Sequence, residues 1–169
     1  MMESERVSVG EMLLGWFRKN KLIEGKNIDL RLESHHEGGL YNSFVPSDIY
    51  GIYLHGRDLK IGECDIRLGM NEELYYAGNI GYRIYGAYRG HGYAYEAALI
   101  LLRTAKYDHG MEEVILTCTP DNIPSRKTLE KLGGELLETV DVPRWHWLYK
   151  RGEKVKNIYR YNLKNRNDI

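Results

Sequence analysis

The sequence predicts an α/β protein of the α+β kind, a mixed sheet with flanking helices, and three patterns carry that expectation. The first half alternates apolar and polar residues in short runs separated by turn residues, as half-buried strands do. Beyond residue 93 the apolar spacing changes from two to three and four, the period of a helix. A β-branched run over 114–119 follows that helix and precedes a second one, and the helix pattern with its short connections favours a parallel crossover between this run and the strand before the first helix.

Residues 1–25 read as an N-terminal extension or helix, with 9–17 as its apolar part. Ile28, Leu30 and Leu32 begin the strand pattern, DIYGIYLHG continues it, and 60–68 repeats it after a reversal at Arg57-Asp58. The intervening HEGGLYNSFVP, 36–46, has no helical period and reads as a flexible connection. In NIGYRIYGAY, Ile80, Tyr82 and Ile84 keep strand alternation, and Gly90 and Gly92 then bracket His91. Ala97, Ala98, Leu101, Leu102 and Ala105 define a helix over about 92–109 that ends near Gly110. A second helix, 122–132, has Asn122 as its cap, Pro124 in its first turn and Gly133 as its stop. The last strands fall at 135–142 and 158–163, with the aromatic and basic insertion PRWHWLYKRGEK, 143–154, between them.

At 169 residues with no polar linker, the chain reads as a single domain over 1–169. Lys plus Arg and Asp plus Glu balance at 24 each, so no overall field draws it to nucleic acid or to a membrane surface. No apolar run approaches a span and no signal peptide is legible, which makes a cytoplasmic location the expectation. Cys64 and Cys118 lie far apart without metal-ligand spacing; they read as buried free thiols, and no metal is expected. The aromatic insertion suits core packing, a homodimer contact or a lid over a binding site better than base stacking.

The informative stretch is RGHGYA, residues 89–94, where a strand hands over to a helix through a glycine turn. The first turn of a helix has unpaired N–H groups and the positive end of the dipole. Gly90 and Gly92 let an anion approach closely and Arg89 adds a fixed charge, so the turn suits a diphosphate held by backbone. Neither the G-x-G-x-x-G spacing nor a G-K-S/T follows, which excludes Rossmann and Walker sites.

Arg89-Gly90-His91-Gly92-Tyr93-Ala94 resembles the acetyl-coenzyme A loop of the GCN5-related N-acetyltransferases (GNAT), Q/R-x-x-G-x-G/A, in a compact form whose Q/R position falls on Ala87. Asn122, Ser125, Leu132 and Gly133 are similar to the family's N-x-x-S-x-x-x-x-E/K-x-L-G segment. IGECDIR and NIGYRI before the loop resemble a bacterial subgroup of predicted acetyltransferases. The resemblance implies the GNAT-like acyl-CoA N-acyltransferase fold and acetyl-CoA as co-substrate. It implies transfer to a primary amine of a small molecule, peptide or protein terminus, with a coenzyme-A-binding regulatory domain as the alternative. Cofactor contacts are expected from Arg89, Gly90, His91, Gly92, Tyr93 and Ala94, with Asn122 and Ser125 on the far side. Backbone N–H groups around Ile84 and Tyr85 are expected to face the thioester oxygen.

The catalytic candidates are Glu63 and Asp65, which share one face of their strand opposite Cys64, and Tyr82, which shares a face with Ile84 and is expected to line the acceptor channel. Leu129 stands where many family members carry a tyrosine that protonates the departing thiolate, and leucine has no proton to give. His35 and His36 precede a glycine-rich loop with no legible triad partner.

Overall fold

Period-two alternation becomes two antiparallel sheets. The computed structural model describes residues 21–39 and 45–169; the expected helical segment 9–17 lies outside them. The first sheet runs β1 (Leu22–Glu24), β2 (Ile28–His36), β3 (Ser47–Leu54), β4 (Lys60–Arg67) and β5 (Ile80–Ile84) in simple order. The second has β6 (Glu113–Cys118) and β7 (Glu135–Asp141) on either side of β8 (Val155–Asn162).

Helix α1 (Glu72–Ala77) connects β4 to β5 and was not foreseen; Asn71 caps it by accepting the Leu74 N–H at 2.8 Å. A 3₁₀ turn, Gly86–Tyr88, leads from β5 to α2 (Tyr93–Arg103), which continues as a wider turn over Thr104–Asp108. The buried face of α2 is the one its sequence period marks: Ala97, Ala98, Leu101 and Leu102 are all fully covered. Its small residues bring the helix down onto β2, β4 and β5, where it meets Ile28, Leu30, Ile66 and Ile80 in one core. Helix α3 (Ile123–Lys131) packs on β6 and α2, while α4 (Trp147–Lys150) occupies the insertion. No described helix is long and apolar enough to cross a membrane.

The α/β class and the flanking helices are as the sequence predicts; the strands on either side of α2, expected in one mixed sheet, are split between two. Every hydrogen-bonded strand pair among the described residues is antiparallel, and β5 and β6 belong to different sheets. They meet at Asn79, just before β5, and part beyond it. Asn79 is fully buried: its Oδ1 accepts the Ile115 N–H (2.8 Å), its Nδ2 donates to the carbonyls of Arg67 (3.1 Å) and Gly69 (2.6 Å), and its own N–H donates to the Ile115 carbonyl (2.6 Å). Gly78 permits this approach, since a Cβ there would stand 3.1 Å from the Ile115 carbonyl oxygen. Burial makes such a fully satisfied amide valuable.

The connection read over 36–46 begins inside β2, whose last residue is His36, and residues 40–44 lie outside the described set. His146 and Leu148 are buried and Trp145 and Trp147 exposed, with His146 Nε2–H donating to the Glu73 carbonyl of α1 at 3.0 Å. The final strand starts at Val155, three residues before the apolar run that announces it. Both cysteines are buried free thiols.

Candidate active site

Where β5 and β6 diverge, the gap becomes a cleft of about 580 Å³. One wall is β5 and the start of α2, with Tyr82, Ile84, Arg89, Gly90, Gly92, Tyr93 and Ala94; the other is the start of α3, with Asn122, Pro124, Ser125 and Thr128. Gly90 and Gly92 hold φ of +83° and +79°, the left-handed region that disfavours a side chain, and a Cβ at either would meet no atom within 4 Å. The turn is therefore built from glycine for its conformation, and the space beside it is open. Gly92 is the N-cap of α2 and supplies no side-chain cap, so the first-turn N–H groups remain available at a positive dipole end. Arg89 Nε donates to the Ile84 carbonyl at 3.0 Å, which fixes the guanidinium at the edge of the cleft. Uncapped donors, a guanidinium and open space fit a diphosphate.

The opposite wall is joined to β5 by side chains. Asn122 Oδ1 accepts the Ser125 N–H at 3.2 Å and so caps α3, while the Ser125 hydroxyl lies 3.2 Å from the Tyr82 hydroxyl across the cleft. Burial pushes the Tyr82 phenol up and hydrogen bonding with Ser125 pulls it partly back.

A second depression, about 490 Å³, lies beside the cleft and is lined by Ser47, Ile49, Glu63, Cys64, Asp65, Arg67, Tyr82 and Arg83. Tyr82 and Arg83 border both spaces, so the partition is one strand thick. Here the two carboxylates separate in character. Glu63 is engaged by Lys60 Nζ (3.1 Å) and by the Tyr85 hydroxyl (3.2 Å), and the lysine holds its carboxyl below the usual range. Burial pushes Asp65 upward against the pull of Arg67, 2.8 Å away. Ser47 and Arg67 also line a third cavity of about 650 Å³, walled by His35, Glu73, Leu74 and Trp147.

The expected cofactor residues thus gather in one place, with two exceptions. Tyr85 does not line the cleft: its hydroxyl points to Glu63, and its N–H is spent on the Ile61 carbonyl at 2.9 Å. His91 also stays out of the lining, stacking on Tyr93 with ring centroids 5.4 Å apart. Tyr88, Tyr95, Pro124 and Thr128 also line the cleft, though the sequence marks none of them as a site residue; their proximity follows from the turn and helix that place their neighbours. His35 does have a carboxylate partner, Asp48, at 2.5 Å, which β2–β3 pairing sets beside it.

The family described as the acetyltransferase (GNAT) domain matches residues 15–135. An uncharacterized N-acetyltransferase of Bacillus subtilis (strain 168), YnaD, is 31% identical over 84 residues, which is 50% of this chain and 48% of that protein. The chain therefore aligns with about half the length of this curated relative. Two solved structures are similar in fold. The ribosomal-protein-S5-alanine acetyltransferase from Vibrio fischeri has a TM-score of 0.65 at 13% identity, over 86% of this chain and 98% of that one. RimL, a ribosomal L7/L12 alpha-N-protein acetyltransferase in complex with coenzyme A, has a TM-score of 0.64 at 12% identity, over 86% and 100%.

Proposed function

The chain belongs to the GNAT acetyltransferase family, and on that premise we propose that it transfers the acetyl group of acetyl-coenzyme A to a primary amine of a small molecule or peptide. The observation that carries this reading is the uncapped, glycine-built start of α2 facing Asn122 and Ser125 across the cleft. The N–H groups of residues 90–94 and the Arg89 guanidinium would hold the diphosphate, and Asn122 and Ser125 the pantetheine arm. Bound acetyl-coenzyme A supplies an activated acyl carbon and a sulfur leaving group.

The acceptor comes from the other side of β5, through the groove of Glu63 and Asp65. An ammonium there must lose a proton before its lone pair can attack. Asp65 takes that proton in this reading, because its raised basicity and limited exposure distinguish it from Glu63, which Lys60 already occupies. The cavity walled by Trp147 continues from this groove and receives the remainder of the acceptor.

Calorimetry with coenzyme A and acetyl-coenzyme A, followed by thiol release against a panel of amines and N-terminal peptides, tests the proposal. Micromolar binding and amine-dependent thiol release are expected. Binding without release by any amine would make the chain a coenzyme-A-binding regulatory domain, and no binding by folded protein would overturn the reading altogether.

A further inference from the structure

The cleft contains no carboxylate, imidazole or thiol among the described residues that line it. Its proton donors, arginines aside, are hydroxyls, and the tyrosines are unevenly placed. Tyr88, Tyr93 and Tyr95 flank the glycine turn, at the end that suits a diphosphate, whereas Tyr82 stands at the other end, on the strand that also borders the groove of Asp65. The two reactants of the proposed transfer can meet only where cleft and groove adjoin. Tyr82 is the hydroxyl-bearing side chain of that partition.

We propose that Tyr82 is the acid that protonates the departing thiolate and that Ser125 positions its hydroxyl; this rests on the acetyl-transfer reading. Ser125 lies on the first turn of α3, held there by the Asn122 cap, so its oxygen fixes the Tyr82 hydroxyl from the wall opposite β5. Leu129, one turn further along the same helix, is 1% exposed and packs in the core, leaving that helix with no acid of its own at this point. The balance is simple. A C–N bond forms and the C–S bond breaks; sulfur keeps the electron pair and takes the Tyr82 proton. The acceptor ammonium gives its first proton to Asp65 before attack and its second to water in the groove once the C–N bond has formed, and the Tyr82 phenolate regains one from water through Ser125. Of the two protons the nitrogen has lost, one is matched on sulfur and one is released to solvent.

Tyr82→Phe retains the ring and so the wall of the cleft. It should bind coenzyme A as the native protein does while kcat falls on the order of 100-fold with KM for acetyl-coenzyme A little changed. A readout independent of turnover uses 3-fluorotyrosine at position 82. Its fluorine resonance should move on adding coenzyme A and move much less with desulfo-coenzyme A, which lacks the sulfur. Ser125→Ala in that labelled protein should raise the ionisation midpoint of the label, because a hydrogen bond that favours the phenolate is lost. Native turnover in Tyr82→Phe, or equal responses to the two ligands, overturns Tyr82 as the acid and leaves acetyl transfer standing. An unmoved midpoint in Ser125→Ala overturns the positioning role. Native protein that binds coenzyme A and turns over no amine overturns both readings together.

Discussion

Asp65 and Gly81 face each other across β4 and β5 so closely that a Cβ on Gly81 would stand 2.5 Å from Asp65 Oδ1. The glycine's missing side chain is the space in which the carboxylate lies, and Arg67 holds it there from its own strand. Gly81→Ala should push the carboxylate aside. Steady-state kinetics should show acceptor KM raised about tenfold or more, and calorimetry an unchanged coenzyme A affinity, since the glycine turn at Gly90 and Gly92 is untouched.

The turn itself is tested at Gly92. A valine there would have to adopt a positive φ, costing roughly 1–2 kcal/mol, and its branches would enter the space kept clear at the start of α2. Calorimetry of Gly92→Val should show coenzyme A binding weakened by at least about tenfold. Lys150→Ala, on α4 and outside the cleft lining, should bind normally.

Leu129 is a packing residue. Leu129→Tyr would force a larger ring and a hydroxyl into a site that is 1% exposed, at a cost of about 1–3 kcal/mol. Urea unfolding should show that loss, and turnover should not rise.

A pH dependence follows from the pair that ties β2 to the β3–β4 turn. His55 Nδ1–H donates to Asp29 Oδ1 at 2.7 Å, and the carboxylate holds the imidazole above its usual value. A raised folded pKa means that the folded protein keeps a proton the unfolded chain has released. Its contribution is therefore complete below about pH 6.5 and is lost as pH rises through the folded value. Thermal unfolding between pH 6 and 9 should show this decline, and His55→Gln should flatten it. Burial pushes Asp29 up, but His55 and the N–H groups of Gly25 and Gly56 outweigh it and set its carboxyl low, so acid should erode the pair only below the usual carboxylate range.

The parts of the site legible in the sequence are those made by near neighbours. The glycine turn, the period of α2, the Asn122 cap and the opposite orientation of Glu63 and Cys64 each depend on a few adjacent residues. Asn79 was not legible, because its role is defined by Ile115, 36 positions away, and a lone asparagine before a strand reads as a turn. That β5 and β6 fall in separate sheets was not legible for the related reason that periodicity marks strands but not their partners. Helix α1 is six residues long, too short for its period to show. Glu63 and Asp65 looked equivalent until Lys60 was seen to occupy one and burial to raise the other.

The clasp at Asn79 is the root of a fork. Beyond that amide no ladder among the described residues links the two sheets, while β5 stays paired to β4 along its length, so the tine from Asn79 to Ile84 keeps to its own sheet and parts from β6. At about 3.3 Å per residue that tine is roughly 16 Å long. Tyr82, Ile84 and the carbonyl that anchors Arg89 all lie along it. The side chains that line the cleft thus stand on the part of β5 that has left β6 behind.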